Sequence, residues 1–455
     1  MPASLSRNPL LRITVLCTLY FAQGIPFGFI SYALIAWLAE REVTTAGITK
    51  ITVAATLPWA FKWAWGPLVD RFQIPEYGRR RPWIIFAQSM MILSGLTIAL
   101  VPDPSQALQV LAAMIFIHNL FSGLQDVAVD ALAVDLLRPE ERGRANGFMY
   151  GSKYVGTSVG AAGLGFILAR SDDSLLPAVL VMSMLLGLIM CVPLFIRERP
   201  GERMLPLVTP STGRLAETTD REEHSANASI AELFHRLLGA FARPNTLIAA
   251  LLALLIWVPN GIVYPVSMTL FMGELEWTQE AYTQLTGTWG LAAGLGGAII
   301  GGLLADAIGP RKIAGLVALA LAGLLALFGL APDAWWEDTT FISIYLVAEQ
   351  GLQGTLSVSL FAIFMSVSWK LVAATQFTAY MAMLNLSQSM GNTLSPILEF
   401  WFGDIRTIFL TAAVVQMLVI VTLPFCRPWR HDEDARSDLV GDGRNPKTDK
   451  ERARS

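Results

Sequence analysis

Hydrophobic residues in this chain occur in long runs, and short polar segments separate one run from the next. A run that crosses the hydrocarbon core of a bilayer, about 30 Å thick, needs roughly 20 apolar residues as a helix. Runs of this kind cover residues 12–38, 47–68, 83–101, 107–134, 145–169, 175–196, 246–271, 285–308, 313–331, 341–367, 377–402 and 407–426. The pattern predicts an all-α membrane protein with twelve transmembrane helices.

A polar segment divides these runs into two sets of six. We therefore expect an N-terminal six-helix bundle over 1–196, a cytoplasmic linker over 197–244 and a C-terminal six-helix bundle over 245–426. The stretch "SIAELFHRLLGAF" in the linker predicts an amphipathic helix, with Ser229 and Glu232 at capping-box spacing. Such a helix is expected on the membrane surface. The charged tail over 427–455 has few apolar residues and is expected to be disordered.

Composition and charge agree with a membrane protein and add an orientation. Of the 455 residues, 54% are hydrophobic and 15% are charged. If the N-terminus is cytoplasmic, the tails and inside loops hold 27 of the 33 Lys and Arg residues, and the outside loops hold 4. This bias predicts that both termini are cytoplasmic. The net charge of −3 indicates no nucleic-acid partner, and the three scattered cysteines indicate neither a disulfide framework nor a metal site.

The two halves share a short motif at the end of their second helix. "GPLVDRFQIPEYGRRRP" begins near the end of the second run, and "GGLLADAIGPRK" begins near the end of the eighth. Both contain G-x-L-x-D, which ends at Asp70 in the first half and at Asp306 in the second. Parallel repeats of six helices are typical of a large class of secondary transporters.

Three aspartates interrupt the fourth run, in "NLFSGLQDVAVDALAVDLL". At 100° per residue, Asp126 and Asp130 lie about 40° apart on a helix, whereas Asp135 lies about 180° from Asp126. Asn119 falls on the face of Asp126. A carboxylate near the bilayer centre costs roughly 3 kcal/mol. We therefore expect Asp126 to face a cavity or a cation.

Two lysines can supply that cation, and one further acid lies deep in the second half. Lys62 in the second run and Lys153 in the fifth lie at a depth similar to that of Asp126, so we expect one of them to pair with it. A structural salt bridge is the alternative interpretation of that pair. Glu349, in the tenth run, is a candidate proton site together with Asp126, and a hydrogen-bonded packing residue is its alternative.

Four stretches in chain order carry a family resemblance: "YFAQGIPFG", "LPWAFKWAWGPLVDR", "LQDVAVDALAVDLL" and "ATQFTAY". Together with the repeated G-x-L-x-D motif, they resemble the major facilitator superfamily, and within it the AmpG-type muropeptide permeases and acetyl-coenzyme A transporters. The resemblance implies two six-helix bundles around a central cavity lined by helices 1, 2, 4 and 5 of the first half. It also implies proton-coupled uptake of muropeptides, such as anhydro-muramyl saccharides, by alternating access across a bacterial inner membrane.

These arguments select candidate residues for a solute and proton path and for a cytoplasmic gate. The path residues are Gln23, Lys62, Asn119, Gln125, Asp126, Asp130, Lys153, Glu349, Gln353, Gln376, Asn385 and Gln388. The gate residues, whose role follows from the resemblance, are Asp70, Arg71, Arg79, Arg80, Asp135, Arg142, Asp306 and Arg311. The expected partners are a small-molecule solute, protons and the lipid bilayer, with no nucleic acid. We expect a monomer without catalytic residues, cofactors or metal ions.

Two departures from the AmpG-type pattern leave the substrate open. Those sequences carry a Tyr-Arg pair after the second aspartate of helix four, where this chain has Leu132 and Ala133. Their acidic motif in helix ten continues with Asn and paired glycines, whereas Glu349 is followed by Gln350 and Gly351. A proton-coupled sugar symporter and an acyl-coenzyme A transporter are the alternative functions. A membrane sensor that transports nothing is the alternative from another class.

Overall fold

The computed structural model of the protein describes residues 4–72, 74, 76–137, 139–171, 174–203, 243–368 and 373–426. For residues 138–144, 146 and 369–375 it gives no side-chain placement. The predicted amphipathic helix of the linker, the tail 427–455 and the side chain of Arg142 lie outside the described part.

A helix corresponds to each of the twelve predicted runs. In chain order these are α1 Pro9–Ala39, α2 Thr45–Ala60 continued by Lys62–Ala64 and Trp65–Arg71, α3 Arg81–Ala99, α4 Leu108–Leu136, α5 Pro139–Ser158 continued by Val159–Gly163 and Leu164–Leu168, α6 Leu176–Phe195, α7 Pro244–Glu274, α8 Gln279–Ile308, α9 Pro310–Leu330, α10 Thr339–Val367, α11 Ala373–Phe402 and α12 Ile405–Phe425. The prediction of an all-α protein with twelve helices is confirmed. The start of α8 differs from the prediction of 285, because the Thr278 hydroxyl caps the helix by accepting from the backbone N–H of Ala281 at 3.2 Å.

Within the described residues, nine of these helices are long and apolar enough to cross a membrane. The other three are α2, α5 and α11. Of these, α2 is interrupted at Phe61, and the other two carry rows of polar side chains. All three lie between the halves, where α2 packs on α11 and α5 packs on α8. Their polarity therefore reflects a position at the centre of the protein.

Most of the remaining contacts lie within two bundles of six helices. In the first half α1 packs on α5, α2 on α4, and α3 on α4 and α6. In the second half α7 packs on α11, α8 on α10, and α9 on α10 and α12. A short bridge between Ser4 and Arg197 brings the start of the chain beside the segment that follows α6. We call this end of the protein the linker end and the opposite end the far end.

Glycines allow several helix pairs to approach until their backbones touch. A Cβ added at Gly24 of α1 would lie 2.2 Å from the carbonyl oxygen of Lys153 on α5, and one at Gly297 of α8 would lie 2.0 Å from that of Gly351 on α10. We call these contacts the glycine seams; they involve Gly24, Gly28, Gly156 and Gly160 between α1 and α5, Gly261 and Gly391 between α7 and α11, and Gly297 and Gly354 between α8 and α10. Each seam lies within one half, as small-residue packing in membranes predicts.

Large apolar side chains cover the outer surface of the bundles. Met184 and Leu188 on α6, Leu316 on α9 and Leu418 on α12 are each at least 60% exposed. Apolar exposure of this extent is rare on proteins surrounded by water. These surfaces are suited to contact with lipid.

Candidate functional site

A cavity of about 450 Å³ lies at the centre of the protein, between the two halves. Helices α1, α2, α4 and α5 line it from the first half, and α7, α8, α10 and α11 line it from the second. Within the described part, α3, α6, α9 and α12 contribute no lining residue. The structure brings seven predicted path residues together on its wall: Lys62, Asp126, Lys153, Glu349, Gln353, Asn385 and Gln388.

The charge pair on the first half joins α2 to α4. Pro58 removes a backbone donor from α2, which stops at Ala60 and continues after Phe61 as a single tight turn. That turn carries Lys62, whose Nζ lies 3.2 Å from Oδ2 of Asp126. The two side chains are only 14% and 6% exposed. Asp126 therefore faces both a cation and the cavity, and the cation is Lys62.

The second lysine is held against an aromatic ring. Nζ of Lys153 lies 5.1 Å from the ring centroid of Trp59, within the range of a cation–π interaction. The indole N–H of Trp59 donates to Oδ1 of Asn119 at 3.0 Å. The amide of Asn119 in turn donates to the carbonyl oxygen of Ile115 at 3.1 Å. This chain of hydrogen bonds fixes the ring on which the ammonium rests.

On the second half, Glu349 is held by amides. Nδ2 of Asn260 on α7 donates to its Oε1 at 3.3 Å, and Nε2 of Gln353 donates to the same atom at 3.1 Å. Among the described residues, no Lys, Arg or His nitrogen forms an ion pair with this carboxylate. In the described part of the chain, the cavity thus contains an acid paired with a cation in one half and an acid without an ion pair in the other.

Five predicted path residues lie outside the cavity lining. These are Gln23, Asn119, Gln125, Asp130 and Gln376. All five are packed between helices of one half. The hydroxyl of Tyr20 on α1 donates to Asp130 on α4, and Nε2 of Gln376 on α11 donates to Oγ1 of Thr246 on α7 at 3.3 Å. Four of them form hydrogen bonds to a neighbouring helix, whereas the buried amide of Gln23 has no hydrogen-bond partner among the described residues.

The sequence analysis missed most of the aromatic lining. The cavity wall includes Tyr32, Trp59, Tyr150, Tyr154, Trp257, Tyr264, Tyr282, Tyr345 and Phe361. Part of this set carried a signal in the sequence: Tyr150, Lys153, Tyr154 and Thr157 follow the helical spacing of three, four and seven residues and line the cavity together. The other aromatic residues lie in hydrophobic runs, where the sequence does not distinguish them from lipid-facing or core residues.

Hydrogen bonds between the halves close the cavity at the far end. Oγ1 of Thr45 at the start of α2 donates to Oε1 of Glu399 near the end of α11, at 2.9 Å. Nε2 of Gln279 at the start of α8 donates to the carbonyl oxygen of Gly165 on α5 at 3.2 Å. The hydroxyl of Tyr264 donates to the carbonyl oxygen of Ser31. In this conformation the far end is the sealed side.

A profile of the Major Facilitator Superfamily matches residues 16–336, well over half of the chain. The chain belongs to the Major Facilitator Superfamily. The protein is therefore an integral membrane transporter of small-molecule solutes. Two six-helix bundles around a central cavity are the architecture that the sequence analysis expected of this superfamily.

Sequence relatives place this transporter near a group of bacterial permeases. It is 24% identical over 429 residues to the anhydromuropeptide permease of Escherichia coli (strain K12), covering 91% of this chain and 80% of the relative. It is 24% identical over 330 residues to the putative transporter AmpG 4 of Rickettsia conorii, covering 70% of this chain and 72% of the relative. The resemblance to AmpG-type permeases is confirmed.

Solved structures agree with the superfamily fold. The D-xylose–proton symporter superimposes with a TM-score of 0.67 at 13% identity, covering 92% of this chain and 97% of that one. The nucleoside transporter NupG superimposes with a TM-score of 0.68 at 10% identity, covering 91% and 100%. At these identities the likeness concerns the fold alone.

The predicted gate residues of the transporter are only partly brought together. Nη1 of Arg80 lies 2.6 Å from Oδ1 of Asp70, and its Nε lies 2.8 Å from Oδ2 of Asp135. Nε of Arg79 lies 3.8 Å from the same oxygen. These contacts all lie within the first half at the linker end. Arg71 and the second-half residues Asp306 and Arg311 are exposed.

The segment after α6 caps the start of α3. The carboxylate of Glu198 accepts from the backbone N–H groups of Arg79 at 3.0 Å, Arg80 at 2.8 Å and Arg81. These donors have no partners within the helix itself. The carboxylate of Glu202 accepts from the backbone N–H of Glu198 at 2.9 Å. Burial, and then the nearby charge of Glu198, raise the pKa of Glu202 to about 7.

We expect Glu202→Gln to remove a pH dependence of this segment. The folded-state pKa lies above the ordinary value of about 4.5, so ionised Glu202 is disfavoured by folding, and stability falls as the pH rises towards 7 and stays lower above it. Gln keeps an acceptor for the Glu198 N–H without the charge. Hydrogen exchange of the 197–203 amides should be faster at pH 8 than at pH 6 in the wild type, after correction for intrinsic rates. The difference should be much smaller in the variant, where Glu198, whose pKa is also raised by burial, is the remaining buried acid of the segment.

Glu76→Gln is the matched control, because Glu76 forms an exposed ion pair with Arg203 at 3.1 Å. Exposed pairs contribute about 0–1 kcal/mol, so this change should leave the pH dependence intact. An unchanged pH dependence in Glu202→Gln would contradict the assignment.

Proposed function

We propose that this transporter carries out proton-coupled uptake of muropeptides, in the form of anhydro-muramyl saccharides, across a bacterial inner membrane by alternating access. One observation carries the proposal: the cavity, sealed at the far end, holds the Lys62–Asp126 pair in one half and, in the other, the carboxylate of Glu349, which forms no ion pair with a described residue. Ionisable groups inside a membrane domain are rare and mark paths for substrates and ions.

Glu349 is the better of the two coupling candidates. A coupling acid must exchange its proton as the solute and the conformation change. Asp126 is committed to Lys62, whereas the Asn260 and Gln353 amides that hold Glu349 are neutral. Glu349 also lies on α10 in the wall of the cavity, where it is accessible to a solute. These features support Glu349 as the proton carrier.

Muropeptides are favoured as solutes by the relatives and by the lining. An anhydromuropeptide permease is 24% identical over most of this chain. The lining combines Trp and Tyr rings with Gln353, Asn385 and Gln388, and such rings with a few convergent polar groups are typical of sites for polar ring compounds.

The direct test is uptake by membrane vesicles that contain the full-length protein. Vesicles energised with an inward proton gradient should accumulate a labelled anhydro-muramyl disaccharide, and a proton uncoupler should abolish the accumulation. Vesicles without the transporter are the control, and labelled xylose and acetyl-coenzyme A are the competing solutes. Accumulation that resists the uncoupler would contradict proton coupling, and accumulation of a competing solute alone would contradict the substrate.

The proposed orientation predicts that both termini and the linker are cytoplasmic. In a cysteine-free background, a cysteine at position 276, in the loop between α7 and α8, should react with an impermeant maleimide added to sealed cells. A cysteine at position 220 should react only after the membrane is opened. Labelling of position 220 in sealed cells would contradict the proposed orientation.

A further inference from the structure

Lys153 is a cation in the cavity wall that forms no ion pair with any acid that the structure describes, although Asp126 and Asp130 lie near enough to interact with it electrostatically. The charged residues of the lining are Lys62, Asp126, Lys153 and Glu349. The first two pair with each other at 3.2 Å, and no carboxylate oxygen of the described residues lies within 4.0 Å of Nζ of Lys153. An ammonium has three hydrogen-bond donors. Those of Lys153 are available to a molecule in the cavity.

The surroundings hold this ammonium in a fixed place. The Trp59 ring beneath it is oriented by Asn119, as described above. The carbonyl oxygen of Lys153 accepts from the hydroxyl of Thr157 at 2.9 Å, and the glycine seam at Gly24 lies against the same carbonyl. A donor fixed before binding loses less entropy when a ligand arrives. The position is therefore suited to recognising one particular group of a solute.

We propose that Lys153 binds a single carboxylate of the transported solute. A carboxylate forms a charge-assisted hydrogen bond with an ammonium and removes the cost of an uncompensated charge inside the membrane domain. The inference deepens the proposed function and rests on it, since it assumes that the solute enters this cavity.

The number of charges narrows the solute class further. A coenzyme A ester carries several phosphate charges, and a lining with one unpaired cation would leave most of them desolvated without a partner. A neutral sugar would leave Lys153 unpaired. When Glu349 carries the coupling proton, as the proposed function requires, a solute with one carboxylate matches the lining, because it compensates the ammonium and adds no further charge.

The test compares acids with their own amides on the purified full-length transporter. Three pairs serve as probes: N-acetylmuramic acid and its lactyl amide, glucuronic acid and glucuronamide, and an N-acetylated dipeptide and its C-terminal amide. Wild type should bind at least one acid more tightly than its amide by about 10- to 100-fold, as expected for a hydrogen bond between charged groups. Lys153→Met should bring that ratio to about one, and Lys153→Arg should keep most of it.

Two controls separate recognition from folding and from net charge. Size-exclusion profiles of both Lys153 variants should match the wild type. Lys312→Met removes one positive charge from an exposed position of α9 that lies outside the cavity lining, and it should keep the acid preference. The inference is overturned if wild type prefers no acid in the panel, or if the preference survives Lys153→Met. If Lys153-dependent acid preference is found but labelled muropeptide is not transported, the proposed substrate fails and this inference stands.

Discussion

Asp126→Asn is expected to reduce solute uptake at least tenfold at normal expression. The change leaves the ammonium of Lys62, 14% exposed, without the carboxylate that now lies 3.2 Å away. Removing one partner of a buried ion pair costs roughly 3–5 kcal/mol, and here the uncompensated charge would face the cavity through which the solute passes. The measurement is uptake by vesicles, normalised to the amount of transporter in the membrane.

Two further variants decide whether the pair acts in transport or only holds α2 to α4. Lys62→Met/Asp126→Asn removes both charges, so it should express well and still transport poorly if the charges act in the cycle. Asp135→Asn changes an acid on the same helix outside the cavity, in the Arg80 contact, and it should lower uptake less than Asp126→Asn. Full uptake by the neutral double variant would assign the pair a purely structural role.

Glu349→Gln is expected to abolish accumulation against a gradient while leaving solute exchange in place. Gln retains an oxygen that can accept from Asn260 and Gln353, which donate to Oε1 in the wild type. A permanently neutral side chain imitates the protonated acid, so the solute can still cross but no proton is carried with it. Uphill uptake under a proton gradient and counterflow of labelled solute without a gradient measure the two activities separately.

Glu399→Gln is the matched control for this variant. Glu399 lies on α11 at the far end and accepts from the Thr45 hydroxyl at 2.9 Å, a bond that Gln can also accept, so accumulation should persist. Accumulation by Glu349→Gln at the wild-type level would remove Glu349 as the coupling acid and leave Asp126. If neither acid is required, His118 is the next candidate for the coupling proton. Its ring is fully buried beside Ser94 and lies outside the cavity lining.

The helices and the depth of the charged residues could be predicted because hydrophobic length and helical spacing depend on local sequence alone. Asp126 and Lys62 illustrate this, since their placement in long apolar runs indicated a buried pair. The choice between Lys62 and Lys153 required tertiary structure, because the break of α2 after Ala60 sets where the Lys62 side chain points. No spacing rule contains that information.

A polar stripe identifies a face of a helix but not what that face meets. Gln125 is adjacent to Asp126 in the sequence of α4, yet its amide lies 3.5 Å from the carbonyl oxygen of Leu19 on α1 and outside the cavity lining. Asn119 likewise orients Trp59 and does not line the cavity. The aromatic wall was hard to predict because tyrosines such as Tyr264 and Tyr345 do not stand out in a hydrophobic run. Only the structure shows where their hydroxyl groups lie.

Because the helix backbones touch at the glycine seams, a substitution on one helix can displace a functional residue on the helix beside it. A methyl group at position 24 would not change the hydrophobic run of α1, and the chain would still insert into a membrane. It would, however, clash with the carbonyl oxygen of Lys153, which lies 2.2 Å from the position of the added Cβ. The backbone that carries the ammonium would have to move, and the ammonium would leave the Trp59 ring. A substitution at Gly24 would therefore change the position from which Lys153 meets a solute as well as the packing of α1 on α5.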